Sequence, residues 1–211
     1  MKDRIYNLII LDESGSMEDI HRETVSSVNE TIQTIRSAQR KFTNQEHLLT
    51  LATFNSDGIR FKYNASPIGQ AEEFAFEDFN PACATPLYDA MGISLTRLQH
   101  EVRQGDRVLV TIITDGYENA SEEYTLSSIA ALVDLLKKRG WIITYMGANQ
   151  DVEQVAMSLS ISQSMAFSTD PQEMCAQMTH ADKCRMAYFE RAARGIAEPE
   201  STNAFFAPEE D

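Results

Sequence analysis

The sequence of 211 residues predicts an α/β fold: a doubly wound, mostly parallel central sheet of about six strands, with one antiparallel edge hairpin and helices on both faces. Three observations lead there. Short apolar runs alternate with amphipathic segments long enough to cross back over a sheet. The runs at 5–11 and 107–114 are almost continuously apolar, which suits strands buried on both faces. Several runs stop abruptly at Asp, Gly or Ser, the chemistry of a loop beyond a strand end.

The elements follow in order. Residues 5–11 form the first strand, stopped by Asp12-Glu13-Ser14-Gly15-Ser16. Val25, Val28, Ile32, Ile35, Ala38 and Phe42 then recur at spacings of three and four, a helical stripe with Ser16 as its expected cap and Asp19 three residues on. Residues 47–54 and 59–64 are strands joined by the turn Asn55-Ser56-Asp57-Gly58, an expected hairpin. Residues 67–84 are irregular, with Glu72, Glu73, Glu77 and Asp78 interleaved with Phe74, Phe76 and Phe79. Thr85-Pro86 opens a helix, with proline at its first position and Leu87, Met91, Leu95, Leu98 and Val102 as its buried stripe. The strand at 107–114 ends at Asp115-Gly116. Residues 125–139 are helical and stopped by Gly140, and 141–146 form the next strand. A short helix at 151–159, a last strand at 165–168 and a helix from Asp170-Pro171 to Arg194 complete the pattern. Met174, Met178 and Met186 on that helix read as core filler. Residues 1–195 make one domain, and 196–211, with five acids, no base and two prolines, read as a flexible acidic tail.

Composition excludes several classes. There are 18 Lys and Arg against 32 Asp and Glu, a net charge of −14, which repels phosphate backbones and anionic lipid, so neither a nucleic acid nor a membrane is an expected partner. No apolar run approaches the roughly 18 residues of a membrane-spanning helix, and the N-terminal run lacks the length and cleavage site of a signal peptide. Cys83, Cys175 and Cys184 are odd in number with no C-x-x-C spacing, so they read as reduced thiols in a cytoplasmic protein. No P-loop, no G-x-G-x-x-G and no G-x-S-x-G is present, and the four histidines are scattered.

Three polar clusters belong at or near the carboxyl ends of strands, where open α/β sheets bind ligands: Asp12-x-Ser14-x-Ser16, Thr85 and Asp115. Together they offer two carboxylates and three hydroxyls, all hard oxygen donors of the kind Mg²⁺ prefers. Residues two apart in a tight loop point the same way, so Asp12, Ser14 and Ser16 are able to converge. The bland reading of each fragment is a capped loop or a turn; the combination favours a cation.

The same residues carry a resemblance. Asp12-Glu13-Ser14-Gly15-Ser16, then Ala84-Thr85-Pro86-Leu87-Tyr88-Asp89-Ala90, then Ile113-Thr114-Asp115-Gly116 resemble, in order and spacing, the three parts of the metal-ion-dependent adhesion site (MIDAS) of von Willebrand factor type A (VWA) domains. The resemblance spans about residues 4–194. It implies Mg²⁺, or Mn²⁺, held by the Ser14 and Ser16 hydroxyls, with Thr85 binding directly or through water. Asp12 and Asp115 would hold metal-bound water and orient the serines, and Asp89 would support them from the helix after Thr85. One open position would accept an Asp or Glu carboxylate of a partner protein, in a non-enzymatic module of an intracellular, bacterial-type assembly. Neutral hydroxyls leave the dication poorly quenched, which is why a hard anionic oxygen is the expected ligand. Acids near the site (Glu13, Glu18, Asp19 and Glu118) read as a rim that selects a carboxylate set in a basic patch. The alternative function is a metal-dependent phosphoester hydrolase, against which no base, nucleophile or lysine is placed by the sequence.

Overall fold

The computed structural model describes residues 2–196 and 204–207. Its sheet is built from β1 (Asp3–Asp12), β2 (Gln45–Asn55), β3 (Gly58–Pro67), β4 (Arg107–Thr114), β5 (Ile142–Gly147) and β6 (Gln163–Ala166). The helices are α1 (His21–Lys41), α2 (Leu87–Gln99), α3 (Leu126–Lys137), α4 (Val152–Ser158) and α5 (Pro171–Ala193). The strand order is β3-β2-β1-β4-β5-β6, and only β2 and β3 pair antiparallel. This is the expected doubly wound sheet with its edge hairpin.

Alternation along β1 divides the core. Ile5, Ile9 and Leu11 join one buried cluster with α1 and α5, whereas Tyr6, Leu8 and Ile10 join the other with α2, α3 and α4. A strand covered on both faces is apolar at nearly every position, which is the pattern that marked it in the sequence; the buried Asn7 is the exception, its amide donating to Ile5 O and Leu48 O. The helical stripes behave likewise: Val25, Val28, Ile32, Ile35 and Ala38 of α1 are all buried, as are Met174 and Met178 of α5. Asp170 caps α5 by accepting the Gln172 and Glu173 amides at 3.0 and 3.1 Å, with Pro171 in the first turn.

Two helix starts differ from expectation. The chain after β1 first makes a 3-10 turn, Gly15–Ile20, and α1 begins only at His21 with no side-chain cap. Ser16 therefore caps nothing, and its hydroxyl is used across the sheet instead. Pro86 stands one residue ahead of the first position of α2, as its N-cap.

The strand order also locates the functional end. From β1 the chain builds outward to β2 and β3, and from β4 it builds the opposite way to β5 and β6. The neighbours β1 and β4 therefore flank the point where the winding reverses, and the crevice beyond their carboxyl ends is left uncovered by crossover helices. Asp12 closes β1 there, and Asp115 directly follows β4.

In the expected acidic tail, residues 204–207 are packed on the domain: Phe205 and Phe206 are buried in the α1–α5 cluster. The other expected tail residues, 197–203 and 208–211, lie outside the described residues. None of the three cysteines is in a disulfide among the described residues; Cys83 and Cys175 are exposed and Cys184 is buried. Among the described residues no helix is long and apolar enough to cross a membrane.

Candidate metal centre at the sheet switch point

Asp12 is fully buried. Its Oδ1 accepts the Ser14 amide at 2.7 Å, an Asx turn that bends the chain off β1. Its Oδ2 accepts the hydroxyl of Thr114, the last residue of β4, at 2.6 Å. One carboxylate thus joins the two strands at the reversal. The turn brings the Ser14 and Ser16 hydroxyls within 3.3 Å of each other, and Ser16 donates to Asp115 Oδ1 at 2.5 Å across 99 residues of sequence.

Thr85 arrives from the irregular connection, which is tied down by main-chain bonds. Ala82 N donates to Glu13 O at 3.0 Å, Gly15 N to Cys83 O at 3.1 Å, and Ser56 N to Ala84 O at 3.0 Å. Asn119 then clamps Thr85 from the other side, its Oδ1 accepting the Thr85 amide at 2.8 Å and its own amide donating to Thr85 O at 3.1 Å. Gly116 lies between the pieces. A Cβ on it would stand 3.4 Å from Thr85 Oγ1 and 3.5 Å from Ser16 Oγ, ordinary contact distances, so both hydroxyls face the same small space. All five expected residues are therefore brought together. Only Ser16 is exposed, which places the mouth of the cluster on its side.

The electrostatics are one-sided. Among the described residues, neither Asp12 nor Asp115 forms an ion pair. Burial pushes the Asp12 carboxyl up to about 6, against hydrogen bonds from Thr114 and Ser14 that favour its charge. Burial also raises Asp115, opposed by the bond from Ser16. Among the described residues no group of three or more His, Cys, Asp or Glu side chains is placed to hold a metal ion. This centre has two carboxylates, and its other donors are hydroxyls.

Three neighbouring acids have other work. Glu13 is fully buried, ion-paired with Arg60 and accepting the Asn80 amide at 2.5 Å, so it anchors the irregular connection rather than lining a rim. Glu118 accepts the Tyr88, Ala120 and Ser121 amides at 2.9, 2.9 and 2.7 Å, pinning the start of α2 to the loop after β4. Asp89 bonds to none of the five site residues. It accepts the Glu122, Glu123 and Tyr124 amides at 2.8, 3.0 and 2.7 Å and so fixes the chain leading from Asp115 to α3. Glu18 and Asp19 remain exposed. The parts missed by sequence reasoning are Thr114 and Asn119. Their only signal was adjacency to Asp115-Gly116, because their partners lie far away in the chain.

No family model and no curated protein sequence matches this chain. Solved structures do. One titled von Willebrand factor type A from Catenulispora acidiphila superposes with a TM-score of 0.64 at 14% identity, covering 88% of this chain and 43% of that one. The SpRpn10 VWA domain gives 0.60 at 13% identity, covering 85% and 95%. The vWF domain of the type V pili tip protein Mfa5 from Porphyromonas gingivalis gives 0.61 at 8% identity, covering 96% and 99%. The fold is that of a VWA domain. At these identities the likeness speaks for the VWA fold alone. The chain spans less than two thirds of the first of these proteins, but nearly all of the two isolated VWA domains.

Proposed function

We propose that this chain is a metal-dependent protein-binding module, in which a divalent cation at Asp12, Ser14, Ser16, Thr85 and Asp115 receives a partner's carboxylate. One observation carries the reading: two buried carboxylates that form no ion pair among the described residues meet three hydroxyls at the reversal point of the sheet. The donor set fits Mg²⁺ or Mn²⁺. It is all hard oxygen, and among the described residues no side chain forms an ion pair with its two carboxylates.

Ser14, Ser16 and Thr85 would contribute hydroxyl oxygens, while Asp12 and Asp115 orient them from behind and hold bound water. Thr114 and the Ser14 amide keep Asp12 in place, and Asn119 does the same for Thr85. When bound, the cation supplies a Lewis-acidic position for an Asp or Glu of the partner. Around it Glu18 and Asp19 favour a partner carboxylate set among Lys or Arg; Glu13 and Glu118 are already engaged and take no part in that selection. Protein binding is also in keeping with the company of the fold, whose likenesses include the PilB minor pilin from Streptococcus sanguinis and the pilus adhesin SpaC from Lactobacillus rhamnosus GG. Cys83, Cys175 and Cys184, none in a disulfide among the described residues, favour a cytoplasmic setting. Among the described residues no His, Lys or Cys side chain hydrogen-bonds to the five, so a hydrolase reading finds no base or nucleophile there.

The test is a thermal melt with Mg²⁺ and with EDTA, together with partner capture under both conditions, for wild type and Asp12→Ala. Mg²⁺ should raise the melting temperature and enable capture by wild type only. Melting and capture that ignore both the metal and the substitution overturn the reading.

A further inference from the structure

The pole of the sheet opposite the metal centre holds a cavity of about 440 Å³, at the amino ends of β4 and β5. Its walls include Val102 and Arg103 after α2, Asp106 before β4, Lys138 and Arg139 after α3, and Trp141 before β5. Three cations thus line it with one acid, in a chain whose net charge is −14. Among the described residues none of the three forms an ion pair. Asp106 is used locally: its Oδ2 accepts the Arg103 amide at 2.9 Å, and its own amide donates to Arg103 O at 3.1 Å. These bonds close a tight turn with Gly105 at a φ of 95°, which fixes the backbone that carries Arg103. The helix dipole favours bases just after α3, which accounts for Lys138 and Arg139 but not for Arg103. Trp141 adds a second, independent sign. It is the one tryptophan of the chain and only 5% exposed, yet its indole N–H has no hydrogen-bond partner among the described residues. A buried indole N–H ordinarily has an acceptor.

We propose that this cavity binds a small organic dianion, a phosphate monoester with an apolar body. The three cations on its walls exceed the one acid by two, about the charge of a phosphate monoester at neutral pH. The two guanidinium groups match phosphate oxygens two at a time, and the Lys138 ammonium adds a compact point charge. A phosphate oxygen also supplies the acceptor that the Trp141 indole lacks, while Val102 and the indole face give the organic body an apolar wall. The volume falls within the roughly 300–1,000 Å³ of small-molecule pockets. A small ligand is favoured over an acidic peptide, because a peptide would run beyond these cations onto a surface that is acidic overall and repels it. The eight residues of β4 put roughly 25 Å between this cavity and Asp115, so the two sites do not share a ligand.

The experiment titrates phenyl phosphate into the full chain in metal-stripped buffer, so its outcome does not depend on the metal reading. Binding is read twice, by calorimetry and by the fluorescence of Trp141, which is the only indole present. Phenyl phosphate should bind saturably, change the tryptophan emission and weaken as salt is added. Phenol, with the same ring and no charge, should not bind. Arg103 and Arg139 are exposed, so Arg103→Ala/Arg139→Ala should fold like wild type by circular dichroism and bind phenyl phosphate about tenfold or more weaker. The absence of saturable heat with wild type at millimolar phenyl phosphate overturns the proposal. So does phenol binding as well as its phosphate ester, or a double variant that binds like wild type. An oligoglutamate peptide that binds where phenyl phosphate does not overturns the small-molecule reading in favour of an acidic protein segment.

Discussion

Asp12 and Asp182 are both buried carboxylates, and the fold treats them in opposite ways. Asp182, on α5, pairs with Arg185 Nε at 3.3 Å and accepts the Thr31 hydroxyl at 3.0 Å, while Arg185 also donates to Thr111 Oγ1 at 3.0 Å. Burial raises the Asp182 carboxyl and lowers the Arg185 guanidinium, so each ion loses hydration and regains part of it from the other. Asp12 has the Thr114 hydroxyl and the Ser14 amide, and no cationic side chain pairs with it among the described residues. Asp182 lies where α5 packs on α1, largely shielded from solvent, and the chain supplies its countercharge from the next turn of the same helix. Asp12 lies at the end of the sheet where the winding reverses. The difference separates an acid paired within the fold from one whose charge the proposed cation would match.

The comparison is broken most forcefully at Arg185. Arg185→Met strands Asp182 in the core and should cost about 3–5 kcal/mol, read by urea unfolding; Asp182→Leu/Arg185→Met should recover most of that loss. A small effect from the single change would mean that Asp182 is solvated after all.

His47 extends the comparison to a buried group that forms no ion pair among the described residues. It contacts Gln45 Oε1 and the Phe189 ring, and burial lowers it to about 4. Its folded-state value is depressed below the ordinary 6.5. The unfolded chain therefore takes up a proton first, and stability falls as pH drops through the window between 6.5 and about 4. Relative to His47→Gln, wild type should lose about 3 kcal/mol between neutral pH and the acid end of that window. Parallel pH–stability curves for the two proteins would refute the burial argument.

The metal contribution comes next. At a hundredfold excess over its dissociation constant, Mg²⁺ should stabilise wild type by about 2.7 kcal/mol and Asp12→Asn by nothing. In EDTA the same substitution should cost less than about 1 kcal/mol, because no ion pair is lost. A large loss in EDTA would make Asp12 an ordinary structural acid like Asp182. The smallest effect belongs to Asp170, an exposed carboxylate solvated in both states. Asp170→Ala should cost about 1 kcal/mol through the two amides it caps on α5.

Much of this was legible in the sequence. The almost continuous apolar runs at β1 and β4 identified strands covered on both faces, and the stripes on α1 and α5 identified the faces they bury. Local rules reach that far because strand and helix periods are set within a few residues. They failed at Ser16, which looks like a helix cap and instead bonds Asp115 across the sheet. They failed also at Glu13, which sits in a polar loop yet is fully enclosed by Arg60 and the Asn80 amide. Composition alone misread Phe205 and Phe206, because an acidic, proline-bearing context outweighed two rings that find a groove on α5.

By itself the sequence determined the order of elements, the doubly wound class and the five oxygen-bearing residues, since each follows from local pattern and short motifs. Tertiary structure decided which acids are free and which are held, which hydroxyls meet, and where the last aromatic pair docks. Those outcomes depend on strand order. β1 beside β4 places Asp12 against Thr114, and an edge β6 leaves a corner open to Phe205. No periodicity within one segment records which distant segment will become its neighbour, and that neighbour is what sets the charge, burial and contacts of a side chain.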